Sequence, residues 1–167
     1  AASLRTFTAH KRLLYDVIKR QAGTLPKAIL EAAMNAIDAR AASFDITMTE
    51  DKVILRDDGK GINSEAELTH VFDTFGSPHS AEEGKIYGTF RMGRGQMFSF
   101  GKNTWWTGPF VLSVDLGKYD ANDTLGYKCQ RAKNPVKGCI IQIELYEKIT
   151  PYELSVHIRT LKAWLQF

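Results

Sequence analysis

Leu13, Leu14, Val17 and Ile18 recur at helical spacing, which predicts a first helix over about 8–21. Gly23 breaks it. Thr24 reads as an N-cap and Pro26 as a first-turn residue of a second helix that runs to about Arg40. Ile29, Leu30, Ala33, Ala36 and Ile37 form its apolar face. The period then changes from 3.6 to 2. Phe44, Ile46 and Met48 alternate with polar residues, as do Val53 and Leu55 after Glu50-Asp51, so a β-hairpin is expected whose second strand ends at Asp57. Ser64 opens a short helix to about Phe72.

From about 73 to 95 apolar periodicity is lost and Gly76, Gly84, Gly88, Gly93 and Gly95 accumulate. A loop of this length in a compact domain is usually a lid or a binding loop. A short helix near Gln96–Phe100 follows, then strands at about 104–107, 110–116, 124–131 and 139–146, and an amphipathic helix from Pro151 to Phe167. Helices first and strands afterwards predict an α+β fold, a two-layer α/β sandwich with a mixed sheet covered on one face by helices.

Composition narrows the function classes. A length of 167 residues, 44% hydrophobic and 25% charged, suits one globular domain over 1–167. A net charge of +3 gives no electrostatic argument for nucleic acid or membrane binding, and no apolar run approaches a bilayer span. Cys129 and Cys139 lie in expected strands and read as small buried hydrophobes in a reducing compartment, hence a cytoplasmic location, or nuclear in a eukaryote. The Trp105-Trp106 pair reads as strand core, although beside Lys102 it could also stack on bases.

Three clusters carry candidate chemistry. Glu31, Asn35 and Asp38 recur at i, i+4 and i+7, which puts them within about 60° of one another on one helix face. A glutamate can orient or deprotonate a water, and an asparagine oxygen one turn on suits a metal that otherwise keeps waters and phosphate ligands. Taken alone, the same face also reads as the solvated side of an amphipathic helix. Asp57-Asp58-Gly59-Lys60-Gly61-Ile62 places a carboxylate at a strand end, before glycines that allow a flat base to approach; a plain turn is the competing reading. Gly88 to Gln96 precedes an apolar helix and can turn backbone N–H groups toward an anion, or form a surface loop. It is not a P-loop, because Arg94 and Gly95 stand where Lys and Ser/Thr are needed, and its dinucleotide fingerprint is incomplete at Phe98.

The order of these clusters resembles the Bergerat-fold (GHKL) ATPases, the superfamily of gyrase B subunit, heat-shock chaperone, histidine kinase and MutL. Glu31, Asn35, Asp38 and Ala39 are similar to the E-x-x-x-N-x-x-D-A box. Asp57, Gly59 and Gly61 are similar to D-x-G-x-G, Gly93 and Gly95 to G-x-G, and Gly138-Cys139-Ile140-Ile141 to the late Gly-Thr-x-Ile strand. The resemblance covers about 24–146. It implies ATP and Mg²⁺ as cofactors, with Glu31 as general base and Asn35 as magnesium ligand. Asp57 would contact the adenine amine, Asp38 would support the pocket from behind, Gly59 and Gly61 would line it, and Ile62 would pack on the base. Gly93 and Gly95 would bind phosphate through their N–H groups, with Gln96 beside them, and Lys85, Arg91 and Arg94 would touch phosphates or stand on an exposed lid. Cys139 departs from the family's threonine, which weakens or removes a water-mediated contact to adenine.

Glu31, where histidine kinases usually have asparagine, favours hydrolysis over phosphotransfer and places the chain nearer the MutL-, MORC- and chaperone-like branches. The expectation is a slow ATP hydrolase whose lid orders with nucleotide and gates dimerisation or partner binding. The alternative is a non-hydrolysing nucleotide sensor. A transducer or middle domain supplying a γ-phosphate lysine is not expected within 1–167, so that lysine would come from a further domain or partner. Nucleic acid is a conceivable partner of the full-length protein, and a membrane is not.

Overall fold

The computed structural model describes residues 2–5, 16, 20, 23–70, 96–118 and 127–165. The predicted first helix lies largely outside these residues, and the predicted lid almost wholly so. Helix α1 spans Leu25–Asp38. Thr24 caps it, its Oγ1 accepting the Lys27 N–H at 3.4 Å, and Pro26 sits in the first turn where its missing N–H costs nothing. Leu25, Ala28, Ile29, Ala32, Ala33 and Ala36 form its buried stripe. Ile37, expected on that face, is 49% exposed, because the stripe ends at Ala36 as the chain turns through Arg40 in the left-handed region at φ 58°.

The hairpin follows as β1 (Phe44–Met48) and β2 (Lys52–Asp57), paired Phe44 with Asp57 through Met48 with Val53. Helix α2 (Glu65–Leu68) is capped by Ser64, residues 96–100 are helical, and β3 (Gly101–Val114), β4 (Lys128–Leu145) and α3 (Pro151–Trp164) complete the described chain. The sheet order is β1-β2-β4-β3. All its pairings among the described residues are antiparallel, whereas a mixed sheet was expected. The four late strands predicted from sequence are two long ones. The gaps expected between them, at about 108–109 and 132–138, fall inside continuous strands, with register shifts on either side of Gly108.

Val53, Leu55, Trp105, Phe110, Leu112, Ile141 and Ile143 point from the sheet into one core with α1, Met97 and Phe98. Trp105 is therefore core, meeting Phe98 edge-on at 6.2 Å between centroids, while Trp106 points to the opposite, half-buried face. Inside the core, Asn103 is fully buried and fully used. Its Nδ2 donates to the carbonyls of Met97 and Gly101, and its Oδ1 accepts the Trp105 indole N–H at 3.1 Å. One amide thus ties the 96–100 helix to β3 and fixes the indole. Of the two cysteines expected to be buried, Cys139 is half-buried. Cys129 is exposed, on β4 opposite Leu112.

Candidate functional site

Antiparallel pairing puts directly opposed residues on the same face of a sheet. Phe44 opposes Asp57, Asp57 opposes Cys139, and Cys139 opposes Thr107, so one residue from each strand forms a row across the whole sheet. The next row on that face contains Leu55, Ile141 and Trp105. Both rows floor a cavity of about 180 Å³, walled by Ala32, Asn35, Asp38 and Ala39 of α1 and by Lys60, Gly61 and Ile62, with Glu67 and His70 at its α2 side.

The cavity lies where regular pairing ends. Gly138, just before the Cys139 of the last β2–β4 pair, is at φ 84°, and a Cβ there would overlap the Asp57 carbonyl. The chain after Asp57 then folds back on α1. Lys60 N–H donates to the Ala39 carbonyl at 2.9 Å, and the Cα of Gly59 sits so near Ala39 that a Cβ would come within 2.8 Å of the alanine methyl. Asp58 points away from the cavity and accepts the Ala42 and Ser43 N–H groups at 2.8 and 2.9 Å. Those amide bonds, the Ser43 one foremost, hold its carboxyl below the ordinary aspartate range. The paired aspartates therefore divide the work, one facing inward and the other stapling the loop.

Asp57 Oδ1 accepts the Gly59 N–H at 2.8 Å, and the Cys139 N–H also favours its anion. Burial outweighs these and, with Asp58 nearby, pushes the Asp57 carboxyl above its usual range. Burial raises Asp38 and Glu31 as well. Asn35 Oδ1 is buried with no hydrogen-bond partner among the described residues, although Asn35 lines the cavity. Gln96 Oε1 is in the same condition. Buried amide oxygens are rarely left this way unless something else occupies them.

Asn35, Asp38, Asp57, Gly61, Ile62 and Cys139, all expected from sequence, thus line one cavity. Glu31 does not line it; it is half-buried one turn before Asn35, about 6 Å along the axis. Gly59 works behind the wall, and Gln96 opens the 96–100 helix outside the lining set. Lys85, Arg91, Gly93, Arg94 and Gly95 lie outside the described residues. Sequence reasoning missed Thr107, Trp105, Phe44, Lys60, Glu67 and His70. The first three follow only from the register of β3 and β1 against Cys139 and Asp57, which the fold shows and local sequence does not.

A family profile described as histidine kinase-, DNA gyrase B-, and HSP90-like ATPase matches residues 23–122, more than half of the chain. The chain belongs to this family. Membership implies ATP binding, and the α+β architecture with its antiparallel sheet agrees with the family's fold. No curated protein matches the chain. Among the described residues no helix is long and apolar enough to cross a membrane, and no group of three or more His, Cys, Asp or Glu side chains is placed to hold a metal ion.

Proposed function

We propose that this ATPase-family domain binds ATP with its adenine over the Asp57–Cys139–Thr107 row and its phosphates beside α1, and that it hydrolyses ATP slowly with Mg²⁺. The observation that carries this reading is the pairing, in one cavity, of a half-buried carboxylate at the sheet end with a helix amide oxygen that has no partner among the described residues. A carboxylate accepts from the exocyclic amine of adenine. A neutral amide oxygen suits a hard cation that keeps its waters and phosphate ligands, so Asn35 fits Mg²⁺. The metal, when bound, neutralises phosphate charge.

Glu31 stands one turn further along the same helix, where it would orient and deprotonate a water attacking the terminal phosphate. A carboxyl raised by burial is the better base for that step. Asp38 supports the wall behind the base, Gly59 and Gly61 admit it, and Ile62 packs on it. Gln96, Gly93 and Gly95 serve the phosphates, with Lys85, Arg91 and Arg94 on the lid over 73–95. Nucleotide would order that lid and so gate dimerisation or the docking of a partner that supplies a lysine to the γ-phosphate.

A second reading, a nucleotide sensor without turnover, is favoured by Glu31 lying off the cavity wall. Phosphate release and ATP affinity, measured with Mg²⁺ on wild type and Glu31→Ala, separate the two. Hydrolysis predicts saturable release that falls at least 100-fold in the variant while affinity changes little. Absence of release from a wild type that binds ATP leaves the sensor.

A further inference from the structure

We propose that Thr107 supplies the hydroxyl of the base site, donating to a purine ring nitrogen directly or through one water, and so selects adenine together with Asp57. The inference rests on reading the cavity as an adenine-nucleotide site. Thr107 and Asn103 are the two buried polar residues of the described chain, at 1% and 0% exposure. Asn103 satisfies both its amide ends inside the protein. Thr107 does not. Its Oγ1 accepts the Ile62 N–H at 2.8 Å, and among the described residues its hydroxyl hydrogen has no acceptor.

A buried hydroxyl with an unused donor is costly, and this one lines the cavity. An occupant with an acceptor removes that cost. The neighbouring position on β4, directly opposite Thr107, is Cys139, whose thiol is only a weak donor. The hydroxyl that the β4 position lacks is therefore present one strand over.

Placement supports the role. The Asp57 carboxylate and the Thr107 hydroxyl flank Cys139 in one row, one an acceptor and the other a free donor. Adenine presents the complement, an amine donor beside a ring-nitrogen acceptor. Guanine presents a carbonyl beside an N–H on its N1 edge, which opposes both groups, and on its N7 edge the carbonyl still opposes Asp57. The same threonine holds Ile62 through its oxygen, and Gly108 beside it lacks the Cβ that would strike the Ile62 carbonyl. A positioning effect on Ile62 must therefore be separated from a contact to the base.

Equilibrium binding of ATP, 1-deaza-ATP and 7-deaza-ATP to wild type, Thr107→Val, Thr107→Ser and Thr107→Val/Cys139→Thr makes that separation, with melting temperatures recorded alongside. Wild type should bind one deaza analogue about 3- to 10-fold more weakly than ATP, the range expected for one neutral hydrogen bond. Thr107→Val should lose a similar factor for ATP and treat that analogue like ATP. Thr107→Ser should keep the discrimination, and a hydroxyl restored at position 139 should recover part of it. Wild type binding ATP and both analogues alike, or Thr107→Val still discriminating, overturns the proposal while leaving ATP binding intact. A wild type that binds no ATP overturns both, and if the valine variant fails to fold, Thr107→Ala, which also lacks the hydroxyl, is read in its place.

Discussion

Gly138 lies against the backbone of Asp57, so close that any side-chain carbon at position 138 would overlap the Asp57 carbonyl and crowd the Asp58 Cα at 2.8 Å. This contact lets β4 pass β2 just where the strand delivers its carboxylate to the cavity. Gly138 is also at φ 84°, a conformation L-residues adopt at a cost. Gly138→Ala should therefore destabilise the domain by about 2–4 kcal/mol, strain and overlap together. Thermal denaturation should show a fall of at least about 5 °C, with ATP affinity falling too because Asp57 moves. An alanine variant that melts with wild type would mean the crossing is looser than described.

The raised pKa of Asp57 gives a signed pH dependence. A base amine donates to the anion, so nucleotide binding favours ionisation and weakens as pH falls through the Asp57 titration. Affinity should decline between neutral pH and the ordinary aspartate range, with a midpoint above the model-peptide value of 3.8. Asp57→Asn should abolish this decline and bind ATP about 10- to 100-fold more weakly at pH 7, the loss of one hydrogen bond to a charged group.

The same shift has an opposite consequence for the empty protein. A carboxyl whose folded pKa is raised contributes stability below its unfolded pKa and loses that contribution as pH rises through the folded one. Asp57→Asn, which can still accept the Gly59 N–H, should thus melt no lower than wild type at pH 7 without nucleotide. A clear loss of stability in that variant would show that the anion, not the cavity, is what the loop requires.

Asn103 should behave as a structural residue. Asn103→Leu strands the Trp105 indole N–H and the carbonyls of Met97 and Gly101, which should cost about 2–4 kcal/mol. The indole, without the Asn103 bond and beside the cavity, should change its emission maximum. Full stability with unchanged fluorescence would contradict this network.

Much of this site was legible because its chemistry is local in sequence. Asn35 and Asp38 share a helix face that three residue types at fixed spacing announce, and Asp57 follows a clean alternation ending in Asp-Asp-Gly. Thr107 was not legible. Its role comes from standing opposite Cys139, and register between strands thirty residues apart is a tertiary property. The strand gaps expected at about 108–109 and 132–138 failed for a related reason, because long partner strands can bridge a bulge that local propensity marks as an end. The exposed Ile37 likewise depends on where the buried stripe of α1 stops, which periodicity alone does not mark.

The central claim is that one adenine nucleotide spans the cavity from Asp57 to the Asn35 turn of α1. A crystal structure of the wild-type domain with a non-hydrolysable ATP analogue and Mg²⁺ tests it most directly. The adenine amine should lie within hydrogen-bonding distance of the Asp57 carboxylate, and the Asn35 side-chain oxygen should ligate the metal. A nucleotide bound elsewhere, or in this cavity with its base turned away from Asp57, would contradict the account.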